Sequence, residues 1–273
     1  MVWYLWLIIA VAFLFALYLY LIAPSLRHPA LGVLGGKYYA HRGLHDGNHA
    51  VPENSLAAFR LAVEAGYGME LDVQLTKDHV LIVHHDGNTR RVCGVDRDIC
   101  NTLYEELPPL PDGSPIPTFS DVMALVAGQE PMIVEVKPDG DPLANAVAAR
   151  EALSTYPGPY CVESFHPLVV RYFRKNAPDV LRGQLAMGGP YHAGETSRVQ
   201  FTVLKYMLLN FLGRPHFIAY SCALDHNLSM GLMKRLFHPI LVAWTVRDQK
   251  TMDYAQAQYD LPIFELFTPK PKQ

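Results

Sequence analysis

The chemically able side chains of this sequence stand in four short groups: His41-Arg42-Gly43, Glu70-Leu71-Asp72, His84-His85-Asp86 and Glu135-Val136-Lys137. Glu70 and Asp72 are two residues apart, so on a strand both carboxylates leave the same face. Their surroundings, Tyr67-Gly68-Met69 before and Val73 after, carry no charge. Buried like charges repel unless a cation neutralises them, so the pair reads as part of a cation site. Only Thr76-Lys77-Asp78-His79 separates the strand-like run Tyr67–Leu75 from the next, Val80–His84. A parallel crossover needs about a dozen residues, so these two runs form an antiparallel hairpin centred near Asp78. That register sets Asp72 across from His84 and Leu71 near His85. Glu135 adds a third carboxylate from the following strand. Three oxygen ligands, with positions left for water and substrate, suit Mg2+ or Ca2+. Zinc is served less well, because no set of His and Cys ligands accompanies them. His41 standing alone reads as a core histidine. His84 reads either as a packed residue or as a support for His85. His45 and His49 lie in a polar loop and are assigned nothing.

The elements that hold these groups follow from composition and period. The chain has 273 residues, half of them hydrophobic and 18% charged, which excludes a disordered chain. Four cysteines without a CxxC spacing exclude a disulfide scaffold and read as free, mostly buried thiols. A net charge of -3 and a pI near 6.4 give no reason to expect nucleic acid as a partner, and no feature calls for a protein partner.

Met1 to Leu26 contains no Asp, Glu, Lys, Arg or His, and Val2 to Ala23 is nearly continuous apolar sequence. Some 20 helical residues cross a bilayer core of roughly 30 Å. Trp3, Tyr4 and Trp6 sit near one end and Tyr18 and Tyr20 near the other, as two membrane interfaces attract aromatic rings. Pro24 stops the helix. A signal peptide would open on positive side chains and close on a small-x-small site, and Leu21-Ile22-Ala23-Pro24 is a poor one. Residues 1–26 therefore read as a retained single-pass transmembrane anchor, and residues 27–273 as one domain. The flanking charges Arg27 and Lys37 follow the span, which favours a cytoplasmic domain.

Residues 27–273 come close to the roughly 250 residues of a (β/α)8 barrel. Strand-like runs recur at Tyr38–Ala40, Tyr67–Leu75, Val80–His84, Met132–Val136, Tyr160–Glu163, Leu181–Leu185, Phe217–Tyr220, Ile240–Trp244 and Pro262–Phe264. Helical patterns fill most gaps, at Ser55–Ala65, Phe119–Val126, Leu143–Ser154, Pro167–Asn176, Ser197–Phe211, Leu228–Phe237 and Thr251–Gln258. Alternation of this kind implies a parallel sheet. Counting the hairpin once leaves eight parallel strands. The expected fold is thus α/β: a TIM-type (β/α)8 barrel with an extra hairpin strand after the second strand, preceded by one transmembrane helix. The last helix is absent, since only Leu266–Gln273 follows the eighth strand. Leu107–Pro117, with prolines at 108, 109, 111, 115 and 117, reads as an ordered loop feeding the helix at Phe119. The four chemical groups all fall at strand ends, where catalytic barrels build their sites.

At these residues the chain resembles the glycerophosphodiester phosphodiesterase family. The resemblance is carried by Ala40-His41-Arg42-Gly43, Pro52-Glu53-Asn54-Ser55, Glu70-Leu71-Asp72-Val73, Val83-His84-His85-Asp86 with Arg91 five residues later, and Glu135-Val136-Lys137. Ser164-Phe165 and Trp244-Thr245-Val246 are weaker echoes. The resemblance implies that His41 and His85 are the acid–base pair and that Glu70, Asp72 and Glu135 bind a divalent cation. It sets Arg42 and Lys137 near the phosphate. Glu53 and Asn54 match a motif that orders the first-strand loop, with Glu53 near the metal. Two departures stand out. Another residue usually occupies the place of His84. The closing Thr-Asp-x-Pro motif is replaced by Asp260-Leu261-Pro262-Ile263-Phe264-Glu265, with Glu265 where the aspartate would be.

The implied activity is metal-dependent hydrolysis of glycerophosphodiesters, or of lysophospholipids, to sn-glycerol 3-phosphate and an alcohol. The nucleophile is either water or the glycerol 2-hydroxyl. A phospholipase C or D acting on whole lipids is the first alternative. An inactive barrel that binds lipid headgroups is the second, and the full set of candidate catalytic residues argues against it. The apolar stretch Phe201–Leu212 reads as a helix packed on the barrel, since apolar helical faces are usually core, or as a bilayer or acyl-chain contact.

Overall fold

A computed structural model describes residues 2–27, 29–191 and 197–270, excluding the side chains of Val2 and Val33. Met1 and Pro271–Gln273, at the ends of the expected anchor and tail, lie outside the described residues. The strands are β1 (Tyr39–Ala40), β2 (Gly68–Leu75), β3 (Leu81–Val83), β4 (Met132–Val136), β5 (Tyr160–Ser164), β6 (Arg182–Ala186), β7 (Phe217–Ser221), β8 (Ile240–Val246) and β9 (Leu261–Phe264). The helices are α1 (Val2–Ile22), α2 (Leu56–Glu64), α3 (Arg90–Cys93), α4 (Phe119–Val126), α5 (Pro142–Leu153), α6 (Pro167–Asn176), α7 (Arg198–Lys205), α8 (Asn210–Gly213), α9 (Leu228–Leu232) and α10 (Gln249–Gln258).

Eight strands are parallel, and β1 pairs with both β2 and β9, which closes the ring. β3 is the exception. It pairs antiparallel to β2 with Val73 opposite Val83 and Leu75 opposite Leu81. That is the expected register, and it continues one step further, because the His84 N–H donates to the Asp72 carbonyl at 3.0 Å. The strands alternate between two cores, as a period of two requires. Val134, Val162, Ile218 and Ala243 face the helices. Tyr39, Ile133, Cys161, Leu185, Phe217, Val242 and Ile263 fill the barrel interior, with Leu34 among them. Gly183 makes room for the Phe217 ring, since a Cβ there would lie 2.0 Å from it.

Helix starts carry their own signals. Ser55 accepts from the Ala58 N–H, Thr118 and Asp121 form a reciprocal capping box, and Asp141 caps α5 with Pro142 at its first position. The segment between β3 and α4 forms a small satellite core of Ile82, Val92, Ile99, Leu110 and Ile116. Its proline-rich part is an ordered loop, as expected.

Two helical expectations need correction. Ser197–Phe211 is not one helix. It breaks into α7 and α8 around Met207, whose φ is 54° and whose side chain is buried. The first half, Arg198–Lys205, is amphipathic and the following Tyr206–Leu209 is apolar, so the buried face does not continue along one axis, and burying Met207 turns the chain. Leu228–Phe237 likewise begins as α9 and ends as a π turn over Met233–Phe237. No helix follows β9 among the described residues. The cysteines are all free, two buried and two half-buried.

Among the described residues α1 is the one helix long and apolar enough to cross a membrane, with a mean hydropathy of 2.7 over Trp3–Ile22. Its last turn docks on the barrel. Tyr18 Oη lies 2.6 Å from Ser229 Oγ, Asn210 Nδ2 donates to the Ile22 carbonyl at 2.9 Å, and Arg214 donates to the carbonyls of Tyr20 and Ala23. The Ser25 N–H then donates to the Pro215 carbonyl at 2.8 Å.

Candidate active site

Lateral register builds the acidic centre. Asp72 on β2 is level with Glu135 on β4, which is level with Glu163 on β5. Glu70 lies two residues before Asp72 on the same interior face. One carboxylate oxygen from each of Glu70, Asp72 and Glu135 lies within 4.8 Å of the others, and all three residues are buried. Burial, together with the mutual repulsion of Asp72 and Glu135, pushes the Glu70 carboxyl well up. Burial also raises Glu135, against the pull of Lys137, and raises Glu163, which Glu135 repels. Asp72 goes the other way. Burial would raise it, and Lys137, His85 and Arg42 together hold it down as a carboxylate. Lys137 Nζ donates to Glu135 Oε1 at 2.9 Å and stands 3.4 Å from Asp72 Oδ1.

These residues fit a hard divalent cation. The donors are all oxygen, they converge, and they carry more negative charge than Arg42 and Lys137 offset. Asp72 Oδ1 and Glu163 Oε2 are buried without a hydrogen-bond partner. Buried acceptors in that state cost free energy, which coordination would recover.

Two histidines flank the acidic centre, each held by a carboxylate. His41 follows β1, and its N–H continues the barrel by donating to the Phe264 carbonyl at 2.9 Å. Its Nδ1 lies 2.8 Å from Glu265 Oε1 and its Nε2 lies 3.8 Å from Glu70 Oε2. Arg247 fixes the other Glu265 oxygen at 2.7–2.8 Å. Burial lowers the His41 pKa, and Glu265 partly opposes that. His85 Nδ1 lies 2.6 Å from Asp86 Oδ1, and Arg91 Nε donates to Asp86 Oδ2 at 2.6 Å. Carboxylates only accept, so in either neutral ring the proton sits on Nδ1 and Nε2 is free to exchange one.

A chain of charges joins the two halves. Arg91 donates through two nitrogens to Glu53, and Arg42 Nη1 donates to Glu53 Oε1 at 2.7 Å. Glu53 is held at about 2, because Arg91 and Arg42 outweigh its burial. The Arg42 N–H donates to Glu70 Oε2 at 3.1 Å, and Asn54 Nδ2 donates to Asp72 Oδ2 at 2.9 Å. This needs a tight loop. Arg42, Gly43 and Asn54 all have positive φ, and a Cβ on Gly43 would meet Ala58 Cβ at 2.8 Å.

The structure thus gathers His41, Arg42, Glu70, Asp72, His85, Glu135 and Lys137 at the C-terminal ends of β1, β2 and β4 and of the β3 hairpin strand. Glu53, Asn54 and Glu265 each bind one of them directly, and Arg91 reaches them through Glu53 and Asp86. Trp244 packs edge-on to Phe165, ring centres 5.7 Å apart, in the barrel interior. His84 is buried and its Nε2 meets no protein partner; burial lowers its pKa, against the pull of Asp86, Glu53 and Asp72 nearby. Sequence reasoning passed over Glu163 and Arg247, and named Asp86 in its motif without giving it a role. Glu163 carried a signal all the same, since it closes its strand as Glu135 does. Arg247 carried none.

A cleft of about 850 Å³ opens beside the centre. His85, Glu135 and Lys137 line one end of it, and Phe165, Met187, Phe201 and Leu204 line its apolar flank.

The family model of the glycerophosphoryl diester phosphodiesterases matches residues 41–263. A glycerophosphodiester phosphodiesterase of Caldanaerobacter subterraneus is 32% identical over 171 residues, covering 56% of this chain and 69% of that protein. Lysophospholipase D GDPD1 of Homo sapiens is 45% identical over 74 residues, 27% of this chain and 23% of that protein. Among solved structures, a glycerophosphodiester phosphodiesterase of Thermotoga maritima superposes with a TM-score of 0.61 at 25% identity, over 83% of this chain and 93% of that one. A phosphodiesterase of Oleispira antarctica in complex with the product sn-glycerol-3-phosphate superposes with a TM-score of 0.67 at 19% identity, over 85% and 93%.

Proposed function

The chain belongs to the glycerophosphoryl diester phosphodiesterase family, and from that premise we propose that it hydrolyses glycerophosphodiesters to sn-glycerol 3-phosphate and an alcohol, with His41 and His85 as the acid–base pair. The observation that carries this reading is the convergence of Glu70, Asp72 and Glu135 within 4.8 Å, between two histidines that each lean on a carboxylate.

Hydrolysis of a phosphodiester needs the phosphate charge neutralised, a hydroxyl deprotonated and a leaving alkoxide protonated. Glu70, Asp72 and Glu135 would hold Mg2+ or Ca2+, and such a cation, when bound, supplies most of the first requirement. Arg42 and Lys137 add fixed positive charge beside it. One imidazole Nε2 takes the proton of the attacking hydroxyl, which belongs to water or to the glycerol 2-hydroxyl. The other gives its proton to the departing alcohol. Glu265 and Asp86 orient the two rings and stabilise each as it becomes cationic.

The test follows glycerol 3-phosphate release from glycerophosphocholine, glycerophosphoethanolamine and glycerophosphoglycerol with Mg2+, with Ca2+ and with chelator. Release depends on the cation, and His85→Ala lowers it about 10²-fold or more. Near-wild-type turnover by His85→Ala refutes the assignment.

We also read α1 as a retained anchor that leaves the domain from residue 27 onward on the cytoplasmic side. The 20-residue apolar helix and the charges Arg27 and Lys37 after it support this. Carbonate-resistant membrane association of the intact chain, with the domain protected from external protease in whole cells, is the expected result. A mature N-terminus beyond residue 23 refutes it.

A further inference from the structure

We propose that the basic pocket at the foot of α1 is a phosphate-binding site, formed by Arg27, Arg174, Arg214 and His216 together with the buried Arg182. It lies at the end of the barrel opposite the acidic centre. This rests on retention of α1, whose last residues form one wall, and is independent of the phosphodiesterase reading.

Strand direction separates this pocket from the catalytic residues. Arg182 is the first residue of β6, and His216 immediately precedes β7. In a parallel barrel both positions belong to the N-terminal rim, whereas the catalytic groups gather at the C-terminal one. The end of α1 closes the other side of the pocket. Tyr20, Pro24 and Arg27 line it, facing Arg174 near the end of α6 and Arg214 just after α8. The cavity holds about 700 Å³, room for a phosphate with its substituent.

Four guanidinium groups share this cavity, and among the described residues none of them pairs with a carboxylate. Backbone carbonyls take part of their hydrogen bonds. Arg182 donates to the carbonyls of Gly213, Pro178 and Arg214. Arg174 Nη1 donates to those of Phe211 and Leu212, and Arg214 Nη1 to those of Tyr20 and Ala23. Carbonyls satisfy donors without cancelling charge, so the mutual repulsion remains. Its effect shows on the buried members. Arg182 is 5% exposed, and burial together with Arg174 lowers its pKa to about 10, which leaves it cationic at neutral pH. His216 is 8% exposed, and its Nδ1 is buried with no protein partner. Burial, Arg182 and Arg27 hold its pKa down at about 4. Carbonyl capping explains a bond or two from each arginine. It does not explain four of them around one cavity with a neutral, unpartnered imidazole among them.

A phosphate group answers each of these features. It is a compact anion with several acceptor oxygens, and planar forked guanidinium donors bind it in pairs. Arg174 and Arg214 keep Nε and Nη2 without a protein partner among the described residues, and so have donors to give. A carboxylate brings one charge and two oxygens, too few for this donor set. A phosphate held here joins Arg214, which grips the last carbonyls of α1, to Arg174 and Arg182 of the barrel, and so fastens the anchor to the domain. The group arrives on a soluble ester or on an anionic phospholipid, whose headgroups lie where an apolar span ends.

The test uses the full chain in lipid nanodiscs at pH 7 with chelator, so that the acidic centre, left without a cation, repels phosphate. Its intact mass is read first. A chain that has lost residues 1–23 overturns this site together with the anchor; with the mass intact, every other outcome bears on the site alone. Melting is followed in phosphatidylcholine discs with chloride, in the same discs with inorganic phosphate at equal ionic strength, and in discs containing phosphatidylglycerol. Phosphate or phosphatidylglycerol raises the melting temperature by about 3–6 °C at about ten times its Kd. Arg27→Gln/Arg174→Gln removes the rise, and Lys175→Gln, an exposed charge lost outside the pocket, keeps it. A rise with inorganic phosphate assigns a soluble ester, and a rise with phosphatidylglycerol alone assigns a lipid headgroup. No rise with either, or an equal rise in the double variant, overturns the site. The second readout leaves the arginines in place. Histidine rings are isotope-labelled, and His216→Gln identifies the His216 signal. The ligand that raises melting moves the His216 midpoint up from about 4 toward the ordinary 6.5, because the anion offsets Arg182 and Arg27. A His216 signal that this ligand does not move overturns the site even where the melting shift holds.

Discussion

Replacing Glu70 by Gln separates what the acidic centre does for the fold from what it does for chemistry. Burial and the nearby Asp72 and Glu135 raise the Glu70 carboxyl well above its ordinary 4.5. A carboxyl raised in the folded state contributes fully below the unfolded value, and that contribution is lost as pH rises through the folded value. Each unit between the two values corresponds to about 1.4 kcal/mol at higher pH. Gln is neutral throughout and removes this penalty while keeping an acceptor for the Arg42 N–H. In chelator at pH 7 the variant therefore melts at or above the wild-type temperature, and the difference shrinks toward pH 4.5. A cation reverses the order. At about 100 times its Kd it stabilises the wild type by about 2.7 kcal/mol. For a domain of this size that is a Tm rise of about 5–10 °C. The variant has lost a ligand, so the rise largely disappears and turnover falls about 10²-fold. Scanning calorimetry with and without Mg2+ at pH 5, 6 and 7, paired with glycerol 3-phosphate release, reads all three effects. A variant that melts well below the wild type in chelator, or that keeps the full Mg2+ shift, refutes the reasoning.

Glu53 has the opposite sign. Its carboxyl falls from 4.5 to about 2 on folding, so its contribution is present above pH 4.5 and is lost as pH drops toward 2, a span equivalent to about 3 kcal/mol. Glu53→Gln should remove most of that at pH 7, with the two urea midpoints converging near pH 2. Gly43→Ala sets a Cβ 2.8 Å from Ala58 Cβ at a φ of 79°. It should cost about 1–3 kcal/mol in urea unfolding; no change in midpoint means that the loop tolerates other conformations. Asp86→Asn frees both His85 and Arg91 from their shared carboxylate. Turnover should fall about 10–100-fold with the melting curve little changed, whereas an unaltered rate and pH profile removes Asp86 from the positioning of His85.

Much of this molecule is local enough to be legible along the chain. A period of two puts Glu70 and Asp72 on one face, and a four-residue connection leaves the following strand only an antiparallel return, with Asp72 opposite His84. The nine strands, their order and the closed barrel follow from alternation and length, since a crossover of helical length admits few other arrangements. The unbroken apolar run of α1 is equally local. Two helices were misjudged, because hydrophobic sequence around Met207 and Met233 says that residues are buried without saying which way the chain turns.

The remaining decisions belong to tertiary structure. Glu163 meets Glu135 only through the lateral register of β5 on β4. Glu265 reaches His41 only because the ring closes β9 onto β1, across 224 residues of sequence. Arg247 enters the site by holding Glu265, and nothing in its own neighbourhood announces it. The same holds for the docking of α1: its composition makes it a long apolar helix, and five hydrogen bonds between residues 18–25 and residues 210–229 fix how its last turns meet the barrel. Sequence determined what each segment is, because periodicity and capping act over a turn or two. Structure decided which segments became neighbours, because closing a ring and docking a helix fix distances that no local interaction reaches.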